Sequence, residues 1–155
     1  MVMEPNGPPC GCGSYGHLEA LASGTSIARI MEERLARGEP SALQSQRGQI
    51  TGRLVSESAA AGDALASEVF RRAAEYIGLG IASLINLFNP EIVILGGGVT
   101  NAGELLFAPV RSVALSRCMP MLGRDVQIIR AALRDDVGLL GAAVYAYDQI
   151  QRATA

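Results

Sequence analysis

The stretch Asn89-Pro90-Glu91-Ile92-Val93-Ile94-Leu95-Gly96-Gly97-Gly98 decides the fold. A residue before proline is pushed out of the helical region, so Asn89 closes whatever helix precedes it. Ile92 to Leu95 is a continuous apolar run rather than an alternating one, which predicts a parallel strand buried on both faces. Three glycines then turn the chain. Asn101 followed three residues later by Glu104 resembles a capping box, so a helix is expected next. It runs to about Cys118 and is ended by Pro120 and Gly123. Val126 to Ala131 predicts a second strand. Asp135–Asp136 opens a last helix with Val137, Leu140, Val144, Tyr147 and Ile150 on its inner face.

Upstream, Asp63 is placed to cap the longest helix. Leu65, Val69, Ala73, Ile77, Ile81, Ile85 and Phe88 recur at three- and four-residue steps. Its first half is amphipathic. The second, Ile77 to Phe88, is apolar nearly all round and reads as a buried central helix. The downstream half therefore runs helix, strand, helix, strand, helix, an α/β crossover unit with a parallel pair. Two strands make a poor sheet by themselves, so the chain is expected to be part of something larger.

Leu18, Leu21, Ala22, Ile27, Ile30, Met31 and Leu35 predict one further helix, ended by Gly38 and Pro40. Ser41 to Ser58 fits one or two short helices joined by polar turns. The first 17 residues differ from the rest. Pro5, Pro8 and Pro9 with Gly7, Gly11, Gly13 and Gly16 leave no room for a helix or a long strand. Something other than packing is needed to order that loop.

At 155 residues the chain suits one domain, 1–155, with a real core. Hydrophobic residues make up 49% and charged residues 18%, which excludes compositional disorder. Net charge is −2, and the 13 basic residues are all arginines, scattered along the chain. No basic stripe marks a nucleic-acid face. The longest uncharged apolar stretch, 77–90, is too short and too polar to span a bilayer. No basic region followed by an apolar run marks a signal peptide. Three cysteines, two of them one residue apart, argue for thiols in a reducing compartment. A soluble, cytoplasmic domain is expected.

Cys10-x-Cys12 followed by His17 is the most informative local feature. Two soft thiolates and an imidazole in a Gly/Pro-rich loop are suitable zinc ligands. No fourth ligand is obvious nearby, and spacing alone leaves open two incidental thiols and a surface histidine. Cys118 reads as a small buried hydrophobe. Gly96-Gly97-Gly98 between a strand and a helix would let an anionic ligand approach the backbone. It matches neither the Walker nor the dinucleotide fingerprint, and by itself it reads as a tight turn. Glu19 could accept hydrogen bonds from a polyol, or simply favour the start of its helix. Asp135–Asp136 fits a cap better than a catalytic pair.

Taken in order, these segments resemble the ROK family (repressor, open reading frame, kinase). Cys10-Gly-Cys12-Gly13-Ser-Tyr-Gly16-His17-Leu18-Glu19-Ala20 is similar to its Cys-x-Cys-Gly-x-x-Gly-Cys-x-Glu signature, with His17 in place of the third cysteine. Asn86 to Val99 resembles its strand and glycine turn, and Gly138-Leu-Leu-Gly141-Ala-Ala143 its last helix. The resemblance implies the C-terminal part of an actin-like ATPase (ribonuclease H-like) α/β fold, with few parallel strands packed by several helices. It implies a zinc loop at 1–17 and a helix-rich α/β body at 18–155.

The resemblance further implies that Cys10, Cys12 and His17 hold structural zinc and that Glu19 binds sugar hydroxyls. Gly96, Gly97 and Gly98 would turn beside ATP, which acts with magnesium. The implied activity is ATP-dependent phosphorylation of a hexose, glucose to glucose 6-phosphate, in a homodimer. The family's Asp-x-Gly-Gly-Thr, its catalytic aspartate and the histidine that completes the zinc site are not in these 155 residues. The expected partner is therefore a missing N-terminal half of the same fold, and this chain alone is expected to be inactive. Two other readings stand beside this one: a sugar-sensing repressor of the same family, and a non-catalytic zinc-ordered binding module.

Overall fold

The computed structural model describes residues 1–133 and 136–153. Its elements run α1 (Leu18–Ala22), α2 (Gly24–Ala36), a 3-10 turn (Ala42–Gln46), α3 (Gly52–Ala60), α4 (Ala64–Phe88) and β1 (Ile92–Leu95). A second 3-10 turn (Gly98–Ala102), α5 (Glu104–Arg117), β2 (Gln127–Arg130) and α6 (Val137–Ala153) follow. The architecture is α/β and helix-rich, as expected.

Strands β1 and β2 pair in parallel, with Val93 opposite Ile128 and Ile94 opposite Ile129. The crossover between them is α5. Val93, Leu95 and Ile128 turn toward the helices and join the core. The opposite face corrects the expectation of cover on both sides. Ile92, Ile94 and Ile129 lie open to solvent, Ile94 at 59%. A continuous apolar strand needs two covering layers, and one is found among the described residues.

Helix α4 is the spine. Asp63 caps it as expected, accepting from the Ala66 amide at 2.9 Å. Its other carboxylate oxygen takes the Ser41 hydroxyl at 2.7 Å and the Ala42 amide at 2.6 Å. Phe70, Ala74 and Ile85 are buried along the helix, facing Ile27, Met31 and Leu35 of α2 and Leu106 and Val110 of α5. A β-carbon at Gly78 would sit 2.7 Å from Val113 Cβ and 2.9 Å from the Val110 carbonyl oxygen. Only glycine lets α4 and α5 approach that closely. Asn89 ends the helix in the left-handed conformation, φ 44°.

Several expectations are corrected. The end of α4 is not buried all round, since Leu87 is 72% and Phe88 74% exposed. The helix expected over 18–35 breaks at Ser23, which has extended dihedrals and caps α2 through its side chain. Asn101 and Glu104 form no capping box. Residues 98–102 make a 3-10 turn, and Gly103 begins α5. The side chains of Leu140, Val144, Tyr147 and Ile150 on α6 are exposed rather than inward. Asp135 and the side chain of Val137 lie outside the described residues. Cys118 is buried, as expected. No helix among the described residues is long and apolar enough to cross a membrane.

Candidate functional site

The segment before α1, expected to need something other than packing to order it, is shaped by backbone hydrogen bonds. Val2 bridges His17, and Pro9 bridges Tyr15, both antiparallel. The Gly16 carbonyl accepts from the Met3 amide at 2.8 Å and the Glu4 amide at 3.1 Å, while the Gly16 amide donates to Pro8 at 2.8 Å. Gly16 has φ 63°. A tight turn follows Cys10, whose carbonyl accepts from the Gly13 amide at 3.0 Å. The Tyr76 hydroxyl of α4 donates to the Glu4 carboxylate, which Arg72 also faces at 3.6 Å. The loop is thereby tied to the spine of the fold.

This folding gathers the three sequence-selected donors. One ligand atom from each of Cys10, Cys12 and His17 lies within 4.8 Å of the others. Cys12 Sγ is 3.1 Å from His17 Nδ1. His17 occupies the N-cap position of α1 without capping it, so its ring stays available. Zinc bonds of about 2.0–2.3 Å put tetrahedral ligands a little under 4 Å apart. Two thiols and an imidazole at this spacing fit zinc after small side-chain adjustments.

Glu19 stands in the first turn of α1 and accepts from the Cys10 thiol at 3.0 Å. The Cys12 amide pulls the Cys10 thiol's pKa down. The hydrogen bond to Glu19, desolvation and the Cys12 thiol push it up, and the upward influences prevail. Cys10, Cys12, His17 and Glu19 line one cavity of about 690 Å³, walled on its apolar side by Ile77. A carboxylate beside an apolar wall suits a polyhydroxylated ring, which offers hydroxyl donors on its edge and C–H groups on its face.

A second cavity, about 920 Å³, lies beyond Ser23. The first residues of α2 and α3 touch there, and a β-carbon on Gly52 would sit 2.7 Å from the Gly24 carbonyl. Ser23, Thr25, Arg53 and Gly98 line this cleft. Arg53 is paired there with Glu57, which also lines the cleft, at 2.6 Å, so what the cleft offers an anion is the two helix N-termini and the close backbone approach at the glycine turn. Of the three selected glycines, Gly98 lines the cleft, and Gly97 makes the turn with φ 96°. Gly96 stands at the end of β1. Ser23 lines both cavities.

The sequence selected the loop donors, Glu19 and the glycine turn, and the fold gathers the first two. It did not select Ser23, Thr25, Gly52 or Arg53. Ser23-Gly24-Thr25-Ser26 carried the usable signal, because a serine N-cap inside an apolar repeat breaks one helix into two.

The ROK family profile matches residues 1–149. The chain is 37% identical over 146 residues to a glucokinase of Thermotoga maritima, covering 92% of this chain and 46% of that protein. It is 30% identical over 140 residues to the DNA-binding transcriptional dual regulator NagC of Escherichia coli, covering 90% of this chain and 34% of that one. A ROK family glucokinase from Streptomyces griseus, solved with glucose and AMPPNP, superposes with a TM-score of 0.82 at 35% identity. That superposition covers 94% of this chain and 49% of the solved one. The chain thus spans under half the length of the relatives it matches. With its signature loop, its glycine turn and its fold all in that pattern, the chain belongs to the ROK family.

Proposed function

We propose that the chain is the C-terminal portion of a ROK hexose kinase, with glucose as substrate and ATP as phosphoryl donor. The observation that carries this reading is the shared wall. Ser23 separates a cavity holding the Glu19 carboxylate from a cleft lined by the first residues of α2 and α3 and by Gly98. A phosphoryl-transfer enzyme needs a polyol site and an anion site side by side, because its catalysis is largely positioning and charge neutralisation. Glu19 accepts ring hydroxyls. The turn at Gly96, Gly97 and Gly98 admits the nucleotide to the backbone, and magnesium supplies charge neutralisation when bound. Cys10, Cys12 and His17 hold structural zinc, which fixes the 1–17 loop beside the sugar. Residues 18–155 form the helix-rich body of one domain.

The exposed Ile92, Ile94 and Ile129 face and the open side of α6 fit a fold continued by an N-terminal half. In that half lie the family's catalytic aspartate and phosphate loop, so these 155 residues alone turn over no sugar. The intact protein is cytoplasmic and dimeric in this reading. Similarity to NagC supports a second reading, a sugar-sensing repressor that shares this portion and carries its DNA-binding part elsewhere. The test is ATP-dependent phosphorylation of glucose by the full-length product of the reading frame. Turnover that Glu19→Gln abolishes supports the kinase. Glucose binding without turnover, together with release from DNA, supports the repressor and overturns the kinase.

A further inference from the structure

We infer that the hydroxyl chain Thr25–Ser23–Ser26 is a positioning device that couples the two cavities, with Ser26 as its buried member. The inference rests on the proposed sugar and nucleotide sites. Ser23 ends α1 and caps α2 at once. Its Oγ accepts from the Ser26 amide at 3.1 Å and donates to Ser26 Oγ at 2.9 Å. Ser26 Oγ donates to the Glu19 carbonyl at 2.8 Å, and the Ser23 amide donates to the same carbonyl at 3.1 Å. Thr25 Oγ1 lies 2.9 Å from Ser23 Oγ.

Proton counting fixes the direction of this chain. A hydroxyl has one proton to give. Ser26 gives its proton to Glu19, so Ser26 accepts from Ser23. Ser23 has then given its own, so the Thr25 hydroxyl must supply the proton of the Thr25–Ser23 bond. Thr25 is exposed and lines the anion cleft, whereas Ser26 is buried. Every proton therefore points from the cleft toward the turn that carries Glu19. An anion in the cleft competes for the Thr25 proton. Ser23 is then free to turn its own hydroxyl toward the vacated side, and the grip of Ser26 on the Glu19 turn readjusts. The chain thus links occupancy of the cleft to the placement of the Glu19 carboxylate in the neighbouring cavity.

Coupling between two ligands is read as the ratio of glucose Kd without and with magnesium ADP, measured calorimetrically on the full-length protein. About fivefold tightening or more is expected in the wild type, within the usual range for coupled sites. In Ser26→Ala, and separately in Thr25→Val, the ratio should fall below about twofold. A merely structural loss would weaken each affinity alone and leave the ratio standing. Thr25→Val acts at an exposed position and so guards against a Ser26 variant that fails to fold. An unchanged ratio in both variants, or no coupling in the wild type, overturns the inference while the kinase reading stands. Failure of the wild type to bind either ligand overturns both.

Discussion

The α-carbon of Gly16 lies directly beneath the Glu4 carbonyl, so that a β-carbon there would be 1.5 Å from the carbonyl oxygen. The loop that carries Cys10, Cys12 and His17 doubles back through this contact, and Gly16 also needs its positive φ. Gly16→Ala is expected to open the loop. The left-handed conformation alone costs a non-glycine residue about 1–2 kcal/mol, and the clash adds to that. Glucose binding should weaken at least tenfold, because Glu19 follows Gly16 by three residues. Titration calorimetry and a thermal melt check this together, and wild-type affinity in the variant would refute the close-approach argument.

Asp63 joins three pieces of the fold with one carboxylate. It caps α4 through Ala66 and holds the Ser41–Ala42 turn through its second oxygen. Burial pushes its pKa up, but the hydrogen bonds from Ala66, Ser41 and Ala42 outweigh burial and leave it below the ordinary aspartate value. A depressed folded pKa contributes stability that is present above the unfolded value and lost as pH falls through the folded one. Asp63→Ala should therefore cost about 1–2 kcal/mol at pH 7. The difference from wild type should shrink below about pH 4. Urea unfolding at several pH values measures both. Glu39 and Glu68 are also held low, each by the Arg34 guanidinium, and they add to acid lability in the same direction.

Parts of this fold were legible because they rest on short-range chemistry. The cap at Asp63, the stop at Asn89–Pro90 and the β-branched run at 92–95 depend on neighbours within a few residues. The parallel pairing followed from the helix between the strands. What failed depended on distant surfaces. Nothing local says that Ile94 or Val144 lacks a covering layer, because an apolar residue looks the same whether its partner is in this chain or another. The break at Ser23 failed for a different reason. The apolar spacing runs on through it, and periodicity outweighed the serine cap. The loop donors were legible as a set, while the wall they share with the cleft was not. That wall is Ser23, where α1 ends and α2 begins.

Cys12 and His17 face each other at 3.1 Å, and Cys12 is the exposed member of the thiol pair. The full-length protein purified without chelator is expected to carry one zinc per chain by plasma mass spectrometry. Cys12→Ser should lower that content severalfold, because a serine hydroxyl is a hard, poorly ionised donor. Chelation should raise protease sensitivity within 1–17 before it affects the helices. A Cys12→Ser protein with full zinc content would remove these residues from the metal site.

The bare sheet face gives the last prediction. Ile92, Ile94 and Ile129 form one patch, and Val144, Tyr147 and Ile150 of α6 lie open as well. Soluble monomers rarely leave contiguous apolar area of this kind uncovered. Among the described residues both strands also present an unpaired edge, which invites pairing with another chain. The 155-residue chain expressed alone should therefore associate, seen as oligomers by light scattering after size exclusion. Ile92→Thr, Ile94→Thr and Ile129→Thr combined should shift it toward monomer without loss of helical circular dichroism, since none of the three is in the buried core. If the proposed N-terminal half rests on this face, the same substitutions in the full-length protein should be destabilising instead, because three apolar side chains are then lost from a packed layer. The opposite signs separate a covered interior face from an ordinary surface. A triple variant that is neutral in both contexts would mean that no further layer of this fold rests on the sheet.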